Sequence, residues 1–429
     1  MTTTQGEGTI LDETSHAAGA NAAGDPVPPV DPRASADART GSSEFSLVMG
    51  GLMFQLWRRA RLSGDSLELV HRRVLFITLL AWLPILLLSA LQSHAVAGAI
   101  KIPLLHDIEA NVRFLVALPI FIIAELVVQE RVSPLIGRFV ERRIVETEDL
   151  PAFEAAVQSA HRVRDSNVTE LTLLALVYTV GLFIWRSQLA LAEPTWYATP
   201  DGKQLHLTLP GYWYVFVSIP IFQFVLLRWY MRIVIWFMLL WKISRLNLHL
   251  TAAHPDRAGG IGFLGKGSYA FGPILFAEGV LLAGLIASRV LHEGQALLSF
   301  KGQAAGFVGF FVLVILGPLI MFTPRLERTK RNATAAYGLL ASHFLLQFEG
   351  KGETCGASGT NDLFATQDFR PLTEVRNRYS AVRQMRLVPF GSNDIIRLAI
   401  ATAAPLLPLT LTVFSVAQVA KFLLKTVFK

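Results

Sequence analysis

The sequence predicts an all-α polytopic transmembrane helix bundle of about seven spans, with helical cytosolic loops. Two observations carry that prediction. Seven long apolar segments run through the chain, at Val74–Leu91, Val112–Val128, Val168–Trp185, Tyr212–Trp241, Phe271–Val290, Ala305–Phe322 and Ile395–Ala420. A helix needs about 20 predominantly apolar residues to cross the hydrocarbon core of a bilayer. The loops between these segments alternate between arginine-rich and nearly free of basic residues. Composition agrees: 52% hydrophobic and 17% charged residues exclude an intrinsically disordered chain.

The formal net charge of +7 is not read as a nucleic-acid footprint. Its basic residues sit beside the apolar segments, where anionic lipid headgroups meet them. The lipid bilayer is therefore the first predicted partner, and nucleic acid is not predicted. The single cysteine, Cys355, excludes an intrachain disulfide and a metal site built on several thiolates. No metal site and no cofactor are predicted.

Residues 1–43 are rich in Ala, Gly, Thr, Ser, Asp and Pro and have no apolar core, so they read as a disordered cytosolic arm without a signal peptide. Residues 44–73 read as an amphipathic basic segment before the membrane. Arg58, Arg59, Arg61, Arg72 and Arg73 place it in the cytosol by the positive-inside rule. The first outer loop, Gln92–Asn111, carries only Lys101. The next loop returns to the cytosol with Arg131, Arg138, Arg142, Arg143, Arg162 and Arg164. The alternation continues with Lys203 outside, then Lys242, Arg245, Arg257 and Lys266 inside. Lys301 lies outside, and a large inner loop begins at Arg325. The membrane domain thus covers residues 74–420, with cytosolic helical insertions at 131–167 and 325–394. A basic tail follows at 421–429. That tail disagrees with seven spans, which put the C-terminus outside. Pro405 and Pro408 in the last segment allow a bend or re-entry instead, leaving six spans and a hairpin.

Within the insertions, Ser133–Asp165 reads as two helices, with Pro151 in the first turn of the second. Arg325–Phe348 reads as a helix continuing from its span, with Leu339, Leu340, Phe344, Leu345 and Phe348 at helical spacing. A basic helix is predicted near Pro371–Leu387. The fourth segment, Tyr212–Trp241, would be about 45 Å long as a helix, against a bilayer core of about 30 Å. Its inner end, with Trp236, Phe237, Leu240 and Trp241, is predicted to project and to need a partner, either the cytosolic helices or a second copy.

Three charges deep in the spans are singled out: Glu125, Arg228 and Glu278. Ionisable residues there cost about 2.5–3.5 kcal/mol on insertion scales and are usually paired or face a polar cavity. Counting along each helix puts all three at one level in the inner half, and the Gly317-Pro318 break falls near it. The expected cluster has Glu278 as central carboxylate, Arg228 as its partner and Glu125 as a second acid. The plainer alternatives are a structural ion pair, or an Arg228 that snorkels to the headgroups.

The most motif-like stretch is HPDRAGGIGFLG, His254–Gly265. His254 and Asp256 could bind a cation or move protons, and Arg257 follows them. Gly259, Gly260 and Gly262 allow a tight backbone path. The formal GxGxxG match lies between helices and not after a strand, which argues against dinucleotide binding. A lone His and Asp make a poor metal site, and a structural turn is the plainer reading. This loop, together with RLVPFGSNDIIRLAIATAAPLLPL (Arg386–Leu409), resembles an uncharacterised family of bacterial polytopic membrane proteins with an HPDxAGGxGFL loop. The resemblance covers about Val74 to Ala420 and implies a bacterial inner-membrane location, with no activity attached.

Three functions compete. A channel or transporter for a small ion or solute follows from the intramembrane charges and the prolines in the spans, and suits a homo-oligomer. A signalling or assembly protein would use the cytosolic loops to bind a soluble partner. An enzyme built on His254 and Asp256 is the weakest reading, because such sites gather more acids and histidines.

Overall fold

The structure is a computed structural model that describes residues 45–48, 50, 70–92, 103–181, 183, 195–201, 204–354 and 369–410. The 1–43 arm, most of the 44–73 segment, Cys355 and the 421–429 tail lie outside the described residues. The architecture is all-α. Five helices are long and apolar enough to cross a membrane, so by helix length and hydropathy the chain is an integral membrane protein. They are α1 (Val70–Leu91), α2 (Ile108–Glu141), α5 (Leu209–Ser244), α6 (Phe263–His292) and α7 (Leu297–His343). Between them lie α3 (Leu150–Arg164) and the shorter apolar α4 (Asn167–Gly181). The chain closes with α8 (Phe369–Arg383) and α9 (Ser392–Ala403), which continues through a 3₁₀ turn to Leu407–Thr410. Of the seven predicted segments, five coincide with the long helices. The other two fall on α4 and α9, whose predicted ends at Trp185 and Ala420 lie outside the described residues.

α1 shows why these helices suit a bilayer. Its buried positions, Arg73, Ile77, Ala81 and Ile85, recur every fourth residue and face the bundle. Leu75, Leu79, Leu83, Leu87 and Leu91 recur every fourth residue on the other face, and all are exposed. A continuous leucine stripe is a poor surface for water and a good one for acyl chains. Inside the bundle, polar side chains tie helix to helix. Ser218 donates to the Ala81 carbonyl at 2.6 Å, Trp229 Nε1 to Phe121 at 2.9 Å, and Trp82 Nε1 to Asn111 Oδ1 at 3.0 Å. α6 carries small residues where its neighbours come close: a Cβ at Gly284 would touch Val112, and one at Gly279 would strike the Thr402 carbonyl.

One end of the bundle is capped by a small antiparallel hairpin, β1 (Ala198–Asp201) and β2 (Gln204–Leu207), which composition did not predict. Beside it Trp196 is fully buried against Tyr197 and Tyr214, and its Nε1 donates to Asp107 Oδ2 at 2.9 Å. The opposite end is the arginine-rich one. There α2 runs on to Glu141, and α3 begins with Pro151 in its first turn. α3 packs on the end of α5. Trp236 and Leu240 are buried there, and Lys242 Nζ reaches Ser159 Oγ at 2.6 Å, so much of the projecting end of α5 finds its partner within the chain. Phe237 and Trp241 stay 39% and 41% exposed.

Candidate functional site

The buried charges form two groups at one level of the bundle, on opposite sides of α5. The first is an arginine–glutamate network. Glu125 on α2 is its centre: Arg232 Nη1 lies 2.8 Å from one carboxylate oxygen, and Arg73 of α1 pairs with the other. Arg228, one turn from Arg232 on α5, faces Glu170 of α4 at 3.9 Å. All five side chains are buried. Arg232 also lies over the Trp229 ring, 4.7 Å from its centroid, a cation–π contact that helps hold the guanidinium in place.

A short stretch of irregular chain closes this network. Phe45, Leu47 and Val48 are almost fully buried, and Phe45 stacks on His161 of α3. The Val48 carbonyl accepts from Arg232 Nη2 and the Gly50 carbonyl from Arg228 Nη2, each at 3.3 Å. Ser46 donates to Gln129 Oε1 at 2.7 Å, and its carbonyl accepts from Arg164. Backbone carbonyls thus take donors that the two glutamates leave over, since three arginines face only two acids here.

The second group is a pair. Glu278 on α6 is 4% exposed and accepts a hydrogen bond from Tyr230 at 2.7 Å. The expected Glu278–Arg228 pair is not formed among the described residues. Tyr230, the partner found instead, is only two residues from Arg228. Two residues, however, turn a helix by about 200°. Arg228 and Arg232 therefore face α1, α2 and α4, while Tyr230 faces α6. Glu125 is the central acid in place of Glu278. Pro318 is buried in a 3₁₀ segment, Gly317–Phe322, packed on α5. No hydrogen bond joins the Gly317-Pro318 break to either group among the described residues.

The missed members had unequal visibility. Arg232 lies four residues after Arg228 inside the same apolar segment, and Glu170 lies inside the predicted third span; both could have been counted. Arg73 reads in the sequence only as a topology marker. Tyr230 and the carbonyls of Val48 and Gly50 carry no distinguishing sequence mark.

The His254–Gly265 loop forms a third locus, at the arginine-rich end. Asp256 accepts from the backbone N–H groups of Ala258 at 2.8 Å, Gly262 at 2.9 Å and Gly260 at 3.1 Å. His254 Nδ1 lies 2.9 Å from Asp256 Oδ1. Arg257, Gly259 and Gly260 have φ of 56°, 67° and 97°, the left-handed path that lets three N–H groups converge on one carboxylate. The stretches His254–Gly265 and Arg386–Leu409 meet here. The Arg257 carbonyl accepts from Arg386 N at 2.7 Å, and Gly265 packs on Pro389 and Phe390. Asp394 caps α9 through Gly391 N at 2.7 Å and accepts from Tyr269. Asp256 spends its acceptors on its own loop, so this locus is built as a joint between α6 and α9. Among the described residues, no group of three or more His, Cys, Asp or Glu could hold a metal ion.

Burial opposes the charged form of Asp256, yet the three N–H groups and the adjacent His254 outweigh it and hold the carboxyl below its ordinary range. A depressed carboxyl contributes stability above its unfolded value of about 3.9 and loses it as pH falls through the folded value. Asp256→Ala at neutral pH is expected to cost the loop about 1–3 kcal/mol, or roughly 5- to 150-fold faster amide exchange at Ala258, Gly260 and Gly262. Unchanged exchange at those three amides would refute the role given to Asp256.

Comparison of the chain with protein-family models, with curated proteins and with solved structures returns no match. What the fold itself defines is a class: a multi-pass helical membrane protein with a buried arginine–glutamate network at one end.

Proposed function

We propose that this chain moves a small ion or solute across a bacterial inner membrane, with its N-terminus in the cytosol, and that Glu278 lies on the pathway. The observation that carries the reading is the contrast between the two buried acids. Ionisable residues inside a membrane domain either pair with one another or mark a pathway. Glu125 is paired with two arginines. Glu278 has only the Tyr230 hydroxyl among the described residues. Gly279 beside it brings α9 into backbone contact, and the 3₁₀ turn at Ala404–Leu406 interrupts the helix there. α4 and α9 complete the proposed seven spans, and the half-exposed Phe237 and Trp241 offer a face for a second copy.

The test is proton and ion flux into proteoliposomes, comparing wild type with Glu278→Gln at equal incorporation. Wild-type flux that falls at least tenfold in the variant is the expected result. Flux equal in both would take Glu278 off the pathway. A wild type that conducts neither protons, Na⁺, K⁺ nor Cl⁻ would favour the assembly reading. One observation supports that second reading: Leu339 and Leu346, on the helical extension beyond Thr323, are 75% and 68% exposed, apolar surface suited to a soluble partner.

A further inference from the structure

Glu278 is 4% exposed, and its one hydrogen-bond partner among the described residues is the Tyr230 hydroxyl, which donates at 2.7 Å. Charged groups stand on the elements packed around α6, and each is engaged, exposed or distant. On α2, Glu125 is held by Arg73 and Arg232, and Arg113 by Glu109, while Glu130 and Arg131 are exposed. On α9, Asp394 and Arg397 both meet Tyr269, near the arginine-rich end of α6. The turn at Ala404–Leu406 carries no charge, and neither does α7 from Gly302 to Phe322. On α6 itself, Lys266, Arg289 and His292 lie about 16–21 Å away along the helix. On α5, Arg228 and Arg232 face the opposite side. Among the described residues, no charged side chain bears on Glu278.

A buried carboxylate with no cation beside it is costly in an apolar bundle, so this position favours a positive ligand. Coordination decides which one. Hard metal cations take about six oxygen ligands. The described side chains offer one carboxylate and one phenol oxygen. Thr402, whose carbonyl approaches Gly279, commits its hydroxyl to the Leu398 carbonyl at 2.8 Å. A proton needs a single oxygen. It adds to Oε2, forming one O–H bond, while Oε1 goes on accepting from Tyr230. The charge is removed and the Tyr230 bond is kept.

We infer that Glu278 is a proton-binding site, and that the ion this chain moves is H⁺. Movement of that proton rests on the transport reading; its binding does not. The test is infrared spectroscopy of the full chain in lipid vesicles as the pH is raised from about 5 to about 10, past the ~8–9 documented for buried glutamates. A protonated carboxylic acid shows a carbonyl stretch that a carboxylate lacks. The expected result is one such band that fades as pH rises, is lost in Glu278→Gln and is unmoved by Na⁺ or K⁺. Tyr230→Phe removes the hydrogen bond to Oε1 and is expected to shift the same band to higher frequency, which assigns it even should Glu278→Gln fail to fold. Absence of the band, a band that never fades, or one that Na⁺ or K⁺ abolishes at constant pH would overturn the proton site. A Glu278 band without proton flux in the proteoliposomes would remove H⁺ as the moved ion and leave the binding site standing. Na⁺ or K⁺ flux that depends on Glu278, with no band, would keep transport and overturn the proton.

Discussion

Replacing Glu125 with leucine is expected to cost about 3–5 kcal/mol of stability, because it removes the carboxylate that two buried arginines share. Arg73 and Arg232 both reach Glu125, from α1 and α5, and both are nearly inaccessible. Neither guanidinium can shed its charge, since the side chain stays protonated at any physiological pH. Leucine would fill similar space and supply no acceptor. The measurement is the thermal unfolding midpoint of purified protein in detergent, read by size-exclusion monodispersity after heating. A second variant separates charge from packing. Combining Glu125→Leu with Arg232→Met removes one of the two cations together with their acid and is expected to recover a large part of the loss, because a buried ion pair can often be exchanged for apolar residues at little cost. A double variant no better than Glu125→Leu would show that Glu125 acts through something other than its arginines.

Gly279→Leu is expected to be the next most damaging change, at about 1–3 kcal/mol or more for forcing extra volume into a packed interface. A Cβ at position 279 would strike the Thr402 carbonyl and lie 3.2 Å from Pro405 Cδ. Backbone cannot swing aside as a flexible side chain can, so α9 must leave α6. Engineered cysteines on the facing surfaces of α6 and α9, in a Cys355→Ser background, would report this. Cross-linking should fall at least fivefold in the Gly279→Leu chain. Undiminished cross-linking would mean that the contact yields without separation. Gly284→Ala serves as the contrasting control, because its Cβ would meet only the Val112 side chain, at 3.1 Å.

The bundle was legible because a span announces itself in one dimension. Hydropathy and arginine placement need only position along the chain, and the five long helices follow the predicted segments at Val74, Val112, Tyr212, Phe271 and Ala305. Spacing along each helix was legible for the same reason, since rise per residue is constant. Azimuth was not. Glu278 and Arg228 share a level and face opposite sides of α5, and an apolar helix surrounded by lipid and protein shows little amphipathic pattern from which to read its rotation. The loop at His254 illustrates a different loss. Its residue types admit an ion site as well as a turn, and the three N–H groups that converge on Asp256 are not visible in the sequence. The hairpin at Ala198–Leu207 was missed because four-residue strands have no periodicity to detect.

The segment at Phe45–Gly50 has a consequence for biosynthesis. Val48 and Arg232 are 184 residues apart, and Gly50 and Arg228 are 178 apart. At about 5–20 residues per second, the ribosome needs roughly 10–40 s after making the first pair of carbonyls to produce the guanidinium groups that bind them. During that interval α1 and α2 are already threading into the bilayer. Docking of this stretch is therefore complete only after α5 has been made. A nascent chain halted before Arg228 already has His161 and Gln129 to meet Phe45 and Ser46, but lacks the guanidinium groups that bind the Val48 and Gly50 carbonyls, so accessibility at Val48 is a clock for the arrival of α5.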